Sequence, residues 1–475
     1  MFIDGEWRDA TSGATVEATS PATGESLGPV AEGDRADARL AIAAANAAFP
    51  AWGARTGFER GALLHRVADT IESRSDELAR LLTLDQGKPL KAEAEVEVGE
   101  LIEFFRMAAE DGKRVEGSVP QSAAPGRRVL LLRRPLGVLG LITPWNWPYT
   151  MPAEVLAPAL ACGNTVVWTP APSTAVCSGL LAECVAEADL PPGVFNFVLG
   201  PGPEVGDELA ASPGTHAVAF TGSTETGLIV SRQAAGKAQL LEMGGNGPLV
   251  VLEDADLAAA AEAARVGSFL GAGQSCSAAE RILVHEAVRD EFVSLLASEV
   301  EREVHLGDPL DAATTMGPVN NEPGAAKMDA HVADAVERGA TVVTGGSRAE
   351  GFPTGLYWEP TVLNDVPPDS IAVTQETFGP IAPVVAIGSL EDAIEQTNAQ
   401  TYGLMAAIFT ADLAAGMRYA DSVSMGLVNI NETTNYWEPH LPWGGRARSQ
   451  SGIGRVGGRY PMDTLTELQT VLIHA

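Results

Sequence analysis

From Gly137 onward the chain alternates short apolar runs with helical stretches: VLGLI, MPAEVLAPALACG, NTVVWT, AVCSGLLAECVAEA and GVFNFVLG. That is the rhythm of a parallel sheet wrapped by helices. It returns later as ATVVTGG, APVVAIG, the helical EDAIEQTNA, then MAAIFT and MGLVNI. The fold class is therefore α/β. Two such sheets in one 475-residue chain predict a cleft at the boundary between them, and the chain's distinctive motifs cluster there.

Ahead of the first sheet, Asp34 has the character of an N-cap for ARLAIAAANAAF. A second helix is expected over residues 61 to 82, and an acidic one over roughly 92 to 108, after Lys88-Pro89. The stretch SVPQSAAPGRRVLLLRRPLGVLGLI reads as turn, strand, turn, strand, a hairpin with Val129 to Leu132 in its first arm. Arg127, Arg128, Arg133 and Arg134 on it form the only local positive cluster, which suits a solvated or subunit-contacting hairpin.

The charge balance removes whole classes of function. A net charge of −31 repels phosphate backbones and anionic membranes, so neither nucleic acid nor membrane is an expected partner. No run of some 18 apolar residues occurs, and MFIDGEWRDA lacks the pattern of a secretory signal. Cys162, Cys177, Cys184 and Cys276 show no paired spacing. They form neither a disulfide framework nor a metal cluster, which points to the cytoplasm and to no bound metal.

Taken singly, Cys276 in GAGQSCSAAE is an ordinary core residue after an alanine-rich stretch, Glu242 a capping or solvated acid, and Asn146 a turn former. Their company changes that. TPWNWP (143–148), FTGSTETG (220–227), LEMGGNGP (241–248), GQSC (273–276), ETFGP (376–380), TYGL (401–404) and LPWGG (441–445) occur in one order across nearly the whole chain. In that set the chain resembles the NAD(P)-dependent aldehyde dehydrogenase superfamily, in its hydrolytic, non-acylating branch.

The resemblance implies two Rossmann-type α/β domains and a small β element for oligomerisation. The dinucleotide-binding domain would take residues 1–116 and 136–244, the catalytic domain 245–457, and the oligomerisation hairpin and C-terminal strand 117–135 and 458–475. It implies a homodimer or homotetramer acting on a small-molecule aldehyde. Cys276 becomes the nucleophile, Glu242 the base and Asn146 the oxyanion donor, joined by the Cys276 backbone N–H. The chemistry suits those residue types: a thiolate attacks a carbonyl carbon, the tetrahedral adduct sheds hydride to nicotinamide, and the thioester needs base-activated water. Gly271 and Gly273 would leave room for substrate and nicotinamide beside the sulfur.

For the cofactor, Phe220, Gly222, Ser223 and Thr226 lie where a strand meets a helix N-terminus able to hold a pyrophosphate. Gly202 and Gly206 of GPGPEVG allow close backbone approach. The resemblance also implies cofactor contacts from Thr143, Pro144, Trp145, Thr169, Met243 and Gly244. Glu376 resembles the family residue that grips the nicotinamide ribose, and Phe378 the one that packs by the ring. The substrate tunnel would be lined by Trp147, Met151, Glu154, Trp437 and Trp443, with Glu100 joining them. Aromatics beside carboxylates suit a polar, hydroxylated or cationic aldehyde.

Two departures from the family stand out. GNTVVWTPAP places Thr169 where a lysine is usual and Pro172 where a glutamate is frequent, so both adenosine-ribose anchors are replaced. Loss of the acid permits NADP; loss of the cation disfavours it, and no nearby base replaces it, so NAD is the expected cofactor with NADP possible. PWGGRARSQSGIGR also carries two extra residues after the double glycine, which should disturb that loop. Glu242 argues against the acylating branch. The alternatives are a CoA-independent semialdehyde dehydrogenase preferring NADP and, more distantly, a cysteine esterase or thioesterase or an inactive binding paralogue.

Overall fold

Asp34 caps its helix as expected: its carboxylate accepts the N–H groups of Ala36 and Asp37, and Asp37 answers in a capping box for Arg35–Gly53. The computed structural model describes residues 1–474. Around this helix stands an eight-stranded sheet in the order Gly452–Ile453, Ala238–Glu242, Ala217–Thr221, Val138–Ile142, Thr165–Thr169, Phe195–Phe197, Phe2–Ile3, Glu6–Trp7. Its five central strands are parallel and its edges antiparallel. A second, seven-stranded sheet runs Thr341–Thr344, Thr361–Asn364, Ile381–Ile387, Ala279–His285, Gly247–Val251, Met405–Phe409, Leu427–Ile430. Each sheet is buried in its own apolar core.

In the first sheet the chain winds outward from Val138–Ile142 in both directions: Thr165–Thr169 pairs on one side and Ala217–Thr221 on the other. Such a switch point opens a crevice beyond the C-terminal strand ends. TPWNWP follows Val138–Ile142, Gly222 and Ser223 follow Ala217–Thr221, and Glu242 ends its own strand. Three of the motifs thus meet at one crevice.

Two expected elements form differently. The helix expected over 61–82 is two helices, Gly57–Ser73 and Ser75–Gln86, broken at Arg74. Arg74 leaves helical geometry at the junction, with φ −113° and ψ 17°, and its guanidinium pairs with Glu77, with Glu183 and with Glu187. The expected hairpin also comes apart. Arg127–Pro135 pairs over its whole length with the C-terminal strand Thr466–His474, while VLGLI, fully apolar, goes to the centre of the large sheet. Cys162, Cys177 and Cys184 are buried core residues, as read from their helices. Among the described residues, no helix is long and apolar enough to cross a membrane.

Candidate active site

Two cavities meet at Cys276. The inner one, of about 300 Å³, is bordered by Pro144, Trp145, Asn146, Gly222, Ser223, Glu242, Met243, Gly244, Glu376 and Phe378. The outer one, of about 190 Å³, is bordered by Glu93, Glu100, Trp147, Trp437 and Trp443 among others. Only Cys276 and Met151 border both.

Cys276 is carried there by an unusual turn. Gly271, Ala272 and Gly273 all have left-handed φ values, 62°, 54° and 70°. For Ala272 that conformation costs on the order of 1–2 kcal/mol, so the surroundings must enforce it. Glu93 accepts the Gly271 N–H at 2.9 Å, and Gly273 packs flat on the Gly379–Pro380 backbone, where any Cβ would collide. The two glycines therefore serve backbone handedness and this close approach, not room for ligands as their position in the sequence suggested. Cys276 keeps some open surface because the cavities end on it, yet lies deep enough that burial pushes its thiol up. Glu242, Glu376 and Glu154 add to that shift in the same direction.

Glu242 is the last residue of its strand, is buried, and neither of its oxygens has a hydrogen-bond partner among the described residues. Burial first, then the charge of Glu154, raise its carboxyl well above the usual range. Gly444 lies against it: a Cβ there would sit 2.7 Å from Glu242 Oε1. Despite the two extra residues, the loop that follows keeps its anchors. Met243 N–H donates to Ser451 O and Gly452 pairs with Glu242, while Arg446 to Arg448 bulge into solvent.

Asn146 is held on two sides. Its side-chain Nδ2 donates to Gln274 O at 3.0 Å, which leaves the amide's second N–H free at the cavity wall. Its own carbonyl accepts Lys88 Nζ at 3.0 Å. Lys88 is buried in a pair with Glu97, and Glu97 in turn accepts the N–H groups of Tyr149 and Thr150. This pair fixes the TPWNWP loop and the start of the helix Thr150–Cys162. Removing one member of a buried ion pair leaves the other uncompensated and costs about 3–5 kcal/mol. Lys88→Met is expected to lower unfolding stability by that amount in urea titration; a change below about 1 kcal/mol would show that the pair does not support the loop.

On the wall of the inner cavity, Trp145 meets Phe378 edge to face, centroids 5.7 Å apart. Phe378 has φ 58°, and the carboxylate of Glu280 holds its N–H and that of Thr377. Glu376 accepts Gly245 N–H at 2.8 Å, and a Cβ at Gly244 would lie 2.8 Å from both its oxygens. Bare backbone at Gly222 and Gly244, the half-buried carboxylate of Glu376 and two aromatic rings form a cradle that fits a nicotinamide dinucleotide. In the outer cavity Trp437 stacks on Phe104 and tilts against Trp443, each at 6.0 Å. Glu154 is the exception to the expected lining. It is buried away from both cavities, with both oxygens unpartnered and Trp443 and Glu100 as neighbours.

The sequence profile of the Aldehyde dehydrogenase family matches residues 7–471. The chain belongs to the aldehyde dehydrogenase family. It is 40% identical to the succinate-semialdehyde dehydrogenase [NADP(+)] of Escherichia coli, covering 99% of this chain and 97% of that one. It is also 40% identical to the glutarate-semialdehyde dehydrogenase of Pseudomonas aeruginosa, covering 98% and 96%. A crystal structure of succinate-semialdehyde dehydrogenase from Burkholderia pseudomallei superposes with a TM-score of 0.97 at 38% identity, covering 100% of this chain and 97% of that one. The aldehyde dehydrogenase fold and an NAD(P)-dependent oxidation of aldehyde to acid follow for this chain.

Not every site residue expected in this dehydrogenase lies on the cavities. Thr143 and Thr169 are buried at the ends of paired strands, and Thr143 Oγ accepts the indole N–H of Trp168. Phe220 packs in a small core under Gly222 and Gly227. The Ser223 hydroxyl accepts Thr226 N–H and so caps the helix Thr224–Gln233; Thr226 itself is exposed. Gly202 and Gly206 flank a short helical turn beyond the inner cavity. The sequence reading missed Glu93, Lys88, Glu97, Gln274, Glu280 and Lys327. Lys327 borders the inner cavity from the helix Glu322–Glu337. A visible signal existed for two of them: Glu93 and Glu97 recur with Glu100 at helical spacing on a face that should be apolar.

Proposed function

We propose that this dehydrogenase works through Cys276 as nucleophile, Asn146 as oxyanion donor and Glu242 as base. The position of Cys276 at the only junction of the two cavities carries this reading. The Cys276 thiol loses its proton to solvent water, and the thiolate sulfur bonds to the aldehyde carbon. The carbonyl oxygen gains negative charge within reach of the free Asn146 amide N–H and the Cys276 backbone N–H. The nicotinamide cofactor, held by Glu376, Phe378, Gly244 and the Gly222–Ser223 turn, supplies the hydride acceptor that makes the adduct a thioester. Glu242 then takes a proton from water, the hydroxide oxygen bonds to the acyl carbon, and the thiolate of Cys276 leaves. Asn146→Ala removes one of two donors and is expected to lower kcat about 10²-fold with KM little changed; an unaltered kcat in steady-state assays would exclude that role.

The expected division of the chain into 1–116 with 136–244, 245–457, and 117–135 with 458–475 is retained as the working domain description. The two-stranded ribbon of Arg127–Pro135 and Thr466–His474 exposes Leu468, Leu472 and Ile473. Covering that surface with a second subunit supports a homodimer or homotetramer. Four free cysteines support a reducing, cytoplasmic setting.

The substrate is a polar aldehyde, hydroxylated or cationic. A second reading, semialdehyde oxidation with NADP, is favoured by the E. coli and P. aeruginosa relatives, both semialdehyde dehydrogenases, of which the E. coli one uses NADP. Such substrates carry a carboxylate at the far end, and the outer cavity presents Glu93 and Glu100 with no arginine, lysine or histidine on its wall. For the cofactor, Thr169 and Pro172 leave the adenosine ribose without its usual cation or acid, and NAD remains the expected choice. The test is nicotinamide reduction by the purified protein with polar, apolar and ω-carboxylated aldehydes, each with NAD and NADP. Activity with the polar set is expected; turnover of medium-chain alkanals far above every polar aldehyde would overturn the substrate reading.

A further inference from the structure

Three acids face inward from one segment. Glu93 lies on the π turn Leu90–Ala94, and Glu97 and Glu100 on the helix Glu95–Asp111 that continues it. A buried helical face is ordinarily apolar. One cation answers the three: Lys88, committed to Glu97, to Asn146 O and to one face of Trp147, 3.7 Å from the ring centroid. Glu93 and Glu100 have no such partner.

Both line the outer cavity. Glu93 is 3% exposed; its Oε1 accepts Gly271 N–H, while Oε2 is buried without any hydrogen-bond partner. A glutamine could hold Gly271 as well, so the charge on Glu93 is not explained by the turn it supports. Glu100 accepts Thr150 Oγ at 2.8 Å. Burial pushes both carboxyls up to about 7, and the charge of Lys88, which acts to lower both, does not offset it. The same cavity is lined by the rings of Trp147, Tyr436, Trp437 and Trp443, and by Cys276 where it meets the inner one. Uncompensated carboxylates beside indole rings attract a positive charge and repel a negative one.

We propose that the outer cavity selects aldehydes bearing an ammonium group, primary or quaternary, at the end remote from the carbonyl, held by Glu93, Glu100 and the aromatic wall. This rests on the reading of Cys276 as the group that attacks the carbonyl at the inner end. Glu93 and Glu100 are then specificity residues, and the cation they receive is the charge the segment lacks. An aldehyde ending in carboxylate or sulfonate meets repulsion at the same place.

The test uses matched aldehydes of equal length ending in trimethylammonium, primary ammonium, tert-butyl or carboxylate, with wild type, Glu93→Gln and Glu100→Gln. The expected kcat/KM for both ammonium substrates exceeds that of the tert-butyl compound by about tenfold or more, with the carboxylate lowest. Each variant should shrink the cation-to-neutral ratio at least about threefold. A carboxylate substrate that matches or exceeds the ammonium ones, or a ratio unmoved in both variants, overturns the proposal. The corresponding alcohols, titrated by indole fluorescence, separate binding from chemistry. If the trimethylammonium alcohol binds ahead of the neutral one while no aldehyde is oxidised, the cation site stands and the role of Cys276 falls. Equal binding of the charged and neutral alcohols overturns the cation site.

Discussion

Cys276→Ala is expected to abolish nicotinamide reduction, with a loss of at least about 10⁴-fold in kcat, because the variant keeps both cavities and loses the only atom that can hold the acyl group. The other three cysteines cannot substitute. Cys162, Cys177 and Cys184 are buried in helices of the first sheet's core, away from either cavity, and burial raises each of their thiols too. The side chain removed is small and borders open space, so folding should be unaffected and cofactor binding retained. Reduction at more than a few per cent of the wild-type rate would place the chemistry elsewhere.

Glu242→Gln is expected to separate the two halves of the reaction. Glutamine matches the shape of the carboxyl beside Gly444 and cannot take a proton, so thioester hydrolysis should slow by about 10³–10⁴-fold, the upper end of general-base effects. The first turnover does not need water activation. A burst of reduced cofactor, one per active subunit, should therefore survive, followed by a very slow steady state. The pH dependence follows the same logic. Burial and the Glu154 charge raise the Glu242 carboxyl well above its usual range, and only its ionised form accepts a proton. Hydrolysis by the wild type should rise with pH through that raised value and then level. The variant should lose this limb. Loss of the burst together with the steady state would give Glu242 a role in deprotonating the Cys276 thiol as well.

The parallel sheets were legible because their strands are apolar runs buried on both faces, a pattern that needs no tertiary knowledge. The break at Arg74 was not, since no glycine or proline marks it in the sequence, and the partners of its guanidinium, Glu183 and Glu187, lie more than a hundred residues away. The partner of Arg127–Pro135 was hidden for the same reason: it lies at the other end of the chain. At the site, Cys276, Glu242 and Asn146 carried recognisable neighbours in sequence. Lys88 and Glu97 did not, because their work is to hold the backbone of Asn146, Tyr149 and Thr150, which only the fold brings to them. Glu154 misled for a related reason. Its place on a helix beside the tunnel gave no sign that the side chain is buried behind the cavity walls and borders neither cavity.

The covalent step can be observed directly. Glu242→Gln enzyme, mixed with NAD and an aldehyde that the wild type oxidises and quenched after the burst, is digested and analysed by mass spectrometry. The fragment containing GAGQSCSAAE is expected to carry the mass of the aldehyde less two hydrogens, as a thioester on Cys276 that hydroxylamine removes. An unmodified Cys276, or the same adduct on Cys162, Cys177 or Cys184, would contradict the assignment of the nucleophile.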